Sequence, residues 1–195
     1  MTRSGSKVNQ PDSICAIILS GGRGQRMSYQ DKGLILLEGK PLIQHVLERI
    51  EAQVDQIVIS CNRNIKQYEE FGFPVVTDVL PDSPGPLTGV LSAKSEVTTP
   101  LVFIVPCDMP YIPTDVVRRL YDSLNGSLAV TASVDGMLEP LISLVRTDCI
   151  NSIGDSLRSE NRSVRGWLEK LGGTTALLAD EQGAFRNVNS PQDLT

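Results

Sequence analysis

The chain has 195 residues, of which 41% are hydrophobic and 21% charged, with a formal net charge of −5 and a pI near 4.9. This length suits one well-buried core and is short for two. The acidic balance excludes a general nucleic-acid binder, which carries a basic face, and no apolar run approaches the ~18 residues that cross a membrane.

Residues 1–12, within "MTRSGSKVNQPDS", read as a flexible polar leader, neither signal peptide nor anchor. The short continuous apolar run "ICAIIL" (14–19) ends at glycines, the pattern of a strand buried on both faces. "PLIQHVLERIEAQ" (41–53) places Leu42, Ile43, Val46, Leu47 and Ile50 at helical spacing, with Pro41 suited to a first turn. "QIVIS" (56–60) predicts a second strand, "IKQYEEF" a short helix ending at Gly72, and "PVVTD" (74–78) a third strand. A loop, "VLPDSPGP", leads to a helix, "LTGVLSAKSEV", and a fourth strand, "PLVFIVP" (100–106). "PTDVVRRLYDSL" (113–124) is an amphipathic helix with Thr114 as candidate N-cap. "LAVTAS" and "PLISLV" flank "VDGM", whose Asp-Gly signals a turn, so an antiparallel insertion is expected there. Helices over 148–159 and 163–171 precede a last strand, "TALLA" (175–179). The alternation predicts an α/β fold: one domain over residues 1–195 with a mostly parallel sheet covered by helices.

In such sheets ligands bind beyond the carboxyl ends of the strands. Residues 19–33, Ser60–Asn62, Asp78 and Cys107–Asp108 all follow predicted strands. The first segment, "LSGGRGQRMSYQDKG", holds four glycines, two arginines and a lysine. It is not a P-loop, because Lys32 is followed by Gly33, and it lacks the third glycine of a dinucleotide fingerprint. Its glycines let backbone N–H groups turn around phosphate oxygens, while Arg23, Arg26 and Lys32 supply charge. Asp31 fits a charge partner holding the loop as well as a ligand. "VPCDMP" sets Asp108 between Pro106 and Pro110, where a lone carboxylate serves either as a Mg²⁺ ligand or as a loop-stabilising cap. Asp78 and Asp82 are less rigidly framed, and "PDSPGPLTG" (81–89) is either a stiff turn or a wall shaped against a ligand. Asn187 and Asn189 fall on one side of an extended segment, suited to a heterocycle or to a turn. Arg162 and Arg165 read as solvated charges.

His45 is the single histidine and lies in a helix, so a structural role is expected and no Ser-His or Cys-His pair can be assembled elsewhere. Cys15, Cys61, Cys107 and Cys149 are widely spaced in apolar surroundings, which predicts buried free thiols and a cytoplasmic protein. The chemistry is left to metal, cations and positioning, which suits phosphoryl or nucleotidyl transfer.

Taken in order, "LSGGRGQRM…DKGL", "GKPLIQHV", "CNR", "PGPLTGVLSA", "VPCDMPYIP", "NRSVRGWL" and "NVNSPQDL" resemble the molybdenum cofactor guanylyltransferases, the MobA family, over nearly the whole chain. The resemblance implies a Rossmann-like three-layer nucleotidyltransferase fold and a cytoplasmic, Mg²⁺-dependent enzyme. Its reaction joins GMP from GTP to the terminal phosphate of Mo-molybdopterin. It places Leu19, Ser20, Gly21, Gly22, Ser60, Asn62 and Asp78 at the nucleotide, Lys32 on the triphosphate, and Asp108 at both nucleotide and Mg²⁺. Lys32, Arg23 and Asp108 become the catalytic charges, and Arg26, Asn187 and Asn189 lie toward the pterin. It also implies transient contacts with other cofactor-biosynthesis proteins or acceptor molybdoenzymes. Ser28 and Tyr29 stand where the family usually has Gly-Gly, and Ser60 where it often has Asn. Cytidylyltransferases acting on the same pterin tend to have Ala-Ala-Gly in place of Ser20-Gly21-Gly22, which favours guanine here. A sugar-phosphate nucleotidyltransferase and a non-catalytic nucleotide-binding relative that docks a cofactor-handling partner are the alternatives.

Overall fold

The computed structural model describes residues 12–20, 31–80, 85–159, 162–179, 183–188 and 193. The chain order is β1 (Ile14–Leu19), β2 (Leu36–Leu37), β3 (Lys40–Pro41), α1 (Leu42–Ile50), β4 (Gln56–Ser60), α2 (Ile65–Glu69) and β5 (Val75–Val76). Then follow α3 (Pro86–Ala93), β6 (Leu101–Pro106), α4 (Val116–Leu124), β7 (Ala129–Val134), β8 (Met137–Arg146), α5 (Ile153–Arg158), α6 (Val164–Lys170) and β9 (Thr174–Leu178). Seven strands form one sheet in the order β5-β4-β1-β6-β8-β7-β9. Strands β5, β4, β1 and β6 pair in parallel, as do β7 and β9; β8 runs antiparallel to both its neighbours.

Alternation along β1 explains the layering. Ile14, Ala16 and Ile18 enter one apolar cluster with Val46 and Ile50 of α1, Tyr68 of α2 and Val117 and Leu120 of α4. Cys15, Ile17 and Leu19 enter a second cluster with Leu87 and Val90 of α3, Ile153 of α5 and Trp167 of α6. A strand with both faces buried must be apolar throughout, which is why the run 14–19 carries no polar residue. The result is the expected three-layer arrangement, with helices on both sides of a mostly parallel sheet.

The expected antiparallel insertion is the β7–β8 hairpin, whose two-residue turn holds Asp135 (φ 48°) and Gly136 (φ 85°) in left-handed backbone. A second ribbon, β2–β3, was not foreseen. It turns at Glu38 and Gly39, both at positive φ, and its Leu37 packs with Ile35, just before β2, and with Leu42 and Val188 in a small separate core. Asp115 rather than Thr114 occupies the N-cap position of α4, and no side chain caps that end. The Asp115 carboxylate instead accepts from Arg119 Nε at 2.9 Å, a pairing one helical turn along. His45 has the structural role expected, its Nε2 lying 2.9 Å from the Leu37 carbonyl of β2. All four cysteines are buried and unpaired. Among the described residues no helix is long and apolar enough to cross a membrane.

The start of β9 depends on a missing side chain. A Cβ on Gly173 would lie 2.8 Å from the Ala129 carbonyl oxygen and 3.0 Å from the Ala129 Cβ, both at the start of β7. Gly173→Ala must therefore separate two paired strands, and a loss of about 1–3 kcal/mol is expected. Urea denaturation checks it: the midpoint should fall with an unchanged slope, and an unchanged midpoint would refute the close approach.

Candidate active site

The site begins with strand register. Leu19 of β1 lies level with Ser60 of β4 and with Pro106 of β6, and Ser60 lies level with Val76 of β5. Four parallel strands thus stop on one line, and every loop that leaves them starts at the same edge of the sheet. Strand β1 is also where the chain reverses its direction of winding. From β1 it proceeds to β4 and β5 on one side, then returns through α3 to β6 on the other. Such a reversal opens a crevice between the two halves at the carboxyl edge.

Two backbone bonds tie this edge together: the Ser20 N–H donates to the Ser60 carbonyl at 2.8 Å and the Cys107 N–H to the Leu19 carbonyl at 3.2 Å. Helix α3 closes over the ends of β1 and β4. It comes so near that a Cβ on Gly89 would stand 2.7 Å from Ser60 Oγ and 3.0 Å from Leu19 Cδ2. The second glycine of "PGPLTG", Gly89, is thus required by helix-to-strand contact, which explains part of that segment without a ligand.

Across the crevice, Lys32 Nζ donates to Asp108 Oδ2 at 3.0 Å. The two residues lie 76 positions apart in sequence, one in the turn that opens residues 32–34 and one just past β6. Asp108 is buried and the Lys32 side chain is about a third exposed, so the pair is partly sheltered from solvent. At the β4–β5 end, Asn62 and Asp78 grip each other twice. Asn62 Nδ2 donates to Asp78 Oδ2 at 2.7 Å, and the Asp78 backbone N–H donates to Asn62 Oδ1 at 2.8 Å. From β5 to β6 there are three strand spacings, about 14 Å, so the two polar pairs mark the ends of an elongated site.

Leu19, Ser20, Lys32, Ser60, Asn62, Asp78 and Asp108 therefore converge on one edge. Asn187 joins from the C-terminal segment: the N–H of the next residue, Val188, donates to the Asp108 carbonyl at 2.8 Å. Its side-chain oxygen is buried without a hydrogen-bond partner, and leaving such a group unmet costs about 1–3 kcal/mol. Gly21, Gly22, Arg23, Arg26 and Asn189, with Ser28, Tyr29 and Asp82, lie outside the described residues. Arg162 donates to the Ser159 carbonyl, and Arg165 pairs with Glu169 on the surface of α6. Sequence reasoning missed Asn64 and Tyr68, whose side chains both reach Asp31. No local pattern signals a contact 37 residues distant.

Residues 16–175 match the family described as MobA-like NTP transferase domain. The chain belongs to that family. It is 40% identical over 193 residues to the Molybdenum cofactor guanylyltransferase of Burkholderia ambifaria, covering 93% of this chain and 94% of that one. It is 38% identical over 182 residues to the protein of the same name from Serratia proteamaculans, covering 93% and 92%. This MobA-like chain is accordingly a nucleotidyltransferase. Among solved structures, it resembles Molybdopterin-guanine dinucleotide biosynthesis protein A from Archaeoglobus fulgidus, with TM-score 0.72, 24% identity and coverage of 92% and 94%. It also resembles CMP:2-keto-3-deoxy-manno-octonic acid synthetase complexed with CTP, with TM-score 0.74, 16% identity and coverage of 93% and 95%. At these identities the likeness is one of fold.

Two thiols flank the MobA-like site without serving as nucleophiles. Burial, with Asp31 nearby, pushes Cys61 up to about 11, and burial followed by the charge of Asp108 pushes Cys107 higher still. Burial takes Cys15 to about 12 and also raises Cys149. A thiol below its pKa is protonated and a poor nucleophile. In the native protein at pH 8, a disulfide reagent such as Ellman's is therefore expected to label none of the four within minutes, and all four after unfolding. Rapid native labelling of one thiol would contradict this.

Proposed function

We propose that the chain transfers GMP from GTP to the terminal phosphate of Mo-molybdopterin, forming the guanine dinucleotide and releasing pyrophosphate. The observation that carries this reading is the Lys32–Asp108 pair, set at 3.0 Å at the switch point of a sheet whose full-length relatives are named guanylyltransferases. In the reaction a pterin phosphate oxygen attacks the α-phosphorus of GTP, and the bond from that phosphorus to the β-phosphate bridging oxygen breaks, its electron pair leaving with pyrophosphate. No covalent nucleophile is needed, so catalysis is a matter of alignment and charge.

The chain's own groups support each part. Lys32 would exchange the Asp108 carboxylate for triphosphate oxygens, keeping an anionic partner throughout, with Arg23 as a second cation. The donor set fits Mg²⁺, because Asp108 offers a hard carboxylate oxygen held at a strand end, and Mg²⁺ takes one or two carboxylates together with phosphates and waters. When bound, the metal would neutralise charge on the phosphate oxygens. Asn62, fixed by Asp78, lies at the other end of the site with Ser60, where the nucleoside would rest beside Leu19, Ser20, Gly21 and Gly22. Arg26, Asn187 and Asn189 would meet the acceptor, and the unpartnered Asn187 oxygen supports a ligand there. The buried unpaired thiols suit a reducing, cytoplasmic setting. Transient contacts with cofactor-handling proteins or acceptor molybdoenzymes would follow from the product.

Two substitutions test the reading. Asp108→Asn keeps size and hydrogen bonding but removes the charge, so a folded protein with turnover lower by about 100-fold or more is expected in a pyrophosphate-release assay. Near-normal turnover would make Asp108 structural. Asn187→Ala should raise the KM for molybdopterin while leaving the dissociation constant for GTP unchanged; equal losses in both would remove Asn187 from the acceptor side.

A further inference from the structure

Lys32 acts in the proposed reaction only if its ammonium stays at the crevice, and a lysine side chain alone has too many rotamers to guarantee that. What fixes its backbone is therefore a functional question. Asp31, immediately before it, has both carboxylate oxygens engaged. Oδ1 accepts from the Tyr68 hydroxyl at 2.5 Å and Oδ2 accepts from Asn64 Nδ2 at 3.1 Å. Both donors belong to the entry and first turns of α2. Asn64 holds left-handed backbone, φ 50°, as the chain turns into that helix.

Tyr68 is itself enclosed by the core. It is fully buried in the same cluster as Ile18, Ile59 and Met109, and its ring lies 6.3 Å from that of Phe71. Burial, together with nearby Cys107 and the bond to Asp31, raises its hydroxyl well above the ordinary tyrosine range, so it remains a donor at any physiological pH. Gly33, on the far side of Lys32, completes the arrangement. A Cβ there would collide with the Tyr68 hydroxyl. The lysine is thus bracketed by an aspartate that binds Tyr68 and a glycine that admits it. Beyond Gly33, the Leu34 N–H donates to the Asp31 carbonyl at 3.1 Å and the Ile35 N–H to the Lys32 carbonyl at 3.2 Å, closing a tight turn.

We infer that Tyr68, acting through Asp31 with Asn64 as second donor, is a positioning residue that holds Lys32 at the phosphate end of the site. The inference rests on the reading of Lys32 as a triphosphate contact. In "DKG" the first residue is then an anchor to α2, the second the working charge, and the third the space that anchor needs.

A double-mutant cycle read by binding tests it. The dissociation constant for GTP is measured calorimetrically, with Mg²⁺ and without acceptor, for the full chain and for Tyr68→Phe, Lys32→Ala and the double variant. Tyr68→Phe keeps the buried ring and removes only the donor. It should weaken GTP about tenfold in the parent chain, since misplacing a contact group by a fraction of an ångström is costly, and should weaken it no further in the Lys32→Ala background. An equal loss in both backgrounds, or no loss in the parent, overturns the inference while leaving Lys32 as a contact. Unchanged affinity in Lys32→Ala overturns the reading of Lys32 and this inference together. Should Tyr68→Phe fail to fold, Asn64→Gly, which tolerates the left-handed backbone and removes the other donor, must show the same dependence on Lys32; independence from Lys32 overturns the inference there too.

Discussion

The register that ends β5, β4, β1 and β6 on one line is the constraint from which the rest of the molecule follows. Because Val76, Ser60, Leu19 and Pro106 lie level, the polar residues just beyond them, otherwise scattered over ninety positions, share one edge. The register itself is set by burial on both faces, since slipping any of these strands by one residue would exchange the two apolar clusters. The Lys32–Asp108 pair sits where that line meets the reversal of winding. With one partner partly exposed, such a pair contributes on the order of 1 kcal/mol or less to stability. That is small beside either apolar cluster, so its placement is better explained by chemistry than by folding.

A long site with unlike ends is what a nucleotidyltransferase requires. The Asn62–Asp78 end offers fixed neutral and acidic hydrogen-bonding groups. The Lys32–Asp108 end offers both charge signs, suited to a metal–phosphate assembly. Val188 ties the C-terminal segment to the loop after β6, which brings Asn187 to the charged end rather than the neutral one.

Much of this was legible in the chain. Continuous apolar runs marked β1, β4 and β6 because strands buried on two faces leave no room for alternation, and Asp135-Gly136 marked the hairpin because Asp-Gly is among the pairs that favour two left-handed residues in succession. The carboxyl-edge rule gathers Ser60, Asn62, Asp78 and Asp108 from the sequence alone. What stayed hidden was contact between distant segments. Tyr68 looked like an ordinary residue of a short polar helix, and nothing near it in sequence points to Asp31. The β2–β3 ribbon went unseen because two-residue strands carry no periodicity, and it is held by contacts with more distant residues, including the packing of Ile35, Leu37, Leu42 and Val188. Thr114 gave way to Asp115 because helix ends are settled by the turn before them, here at Pro113, more than by cap preference.

The account's central claim is a specific transfer, and product identity tests it most directly. The purified chain would be incubated with molybdopterin, Mg²⁺ and each of the four ribonucleoside triphosphates in turn, with pyrophosphate and dinucleotide measured together. The expected result is equimolar pyrophosphate and molybdopterin guanine dinucleotide with GTP, and little product with the others. Dinucleotide formed from CTP in preference to GTP, or GTP bound with no product of either kind, would contradict it.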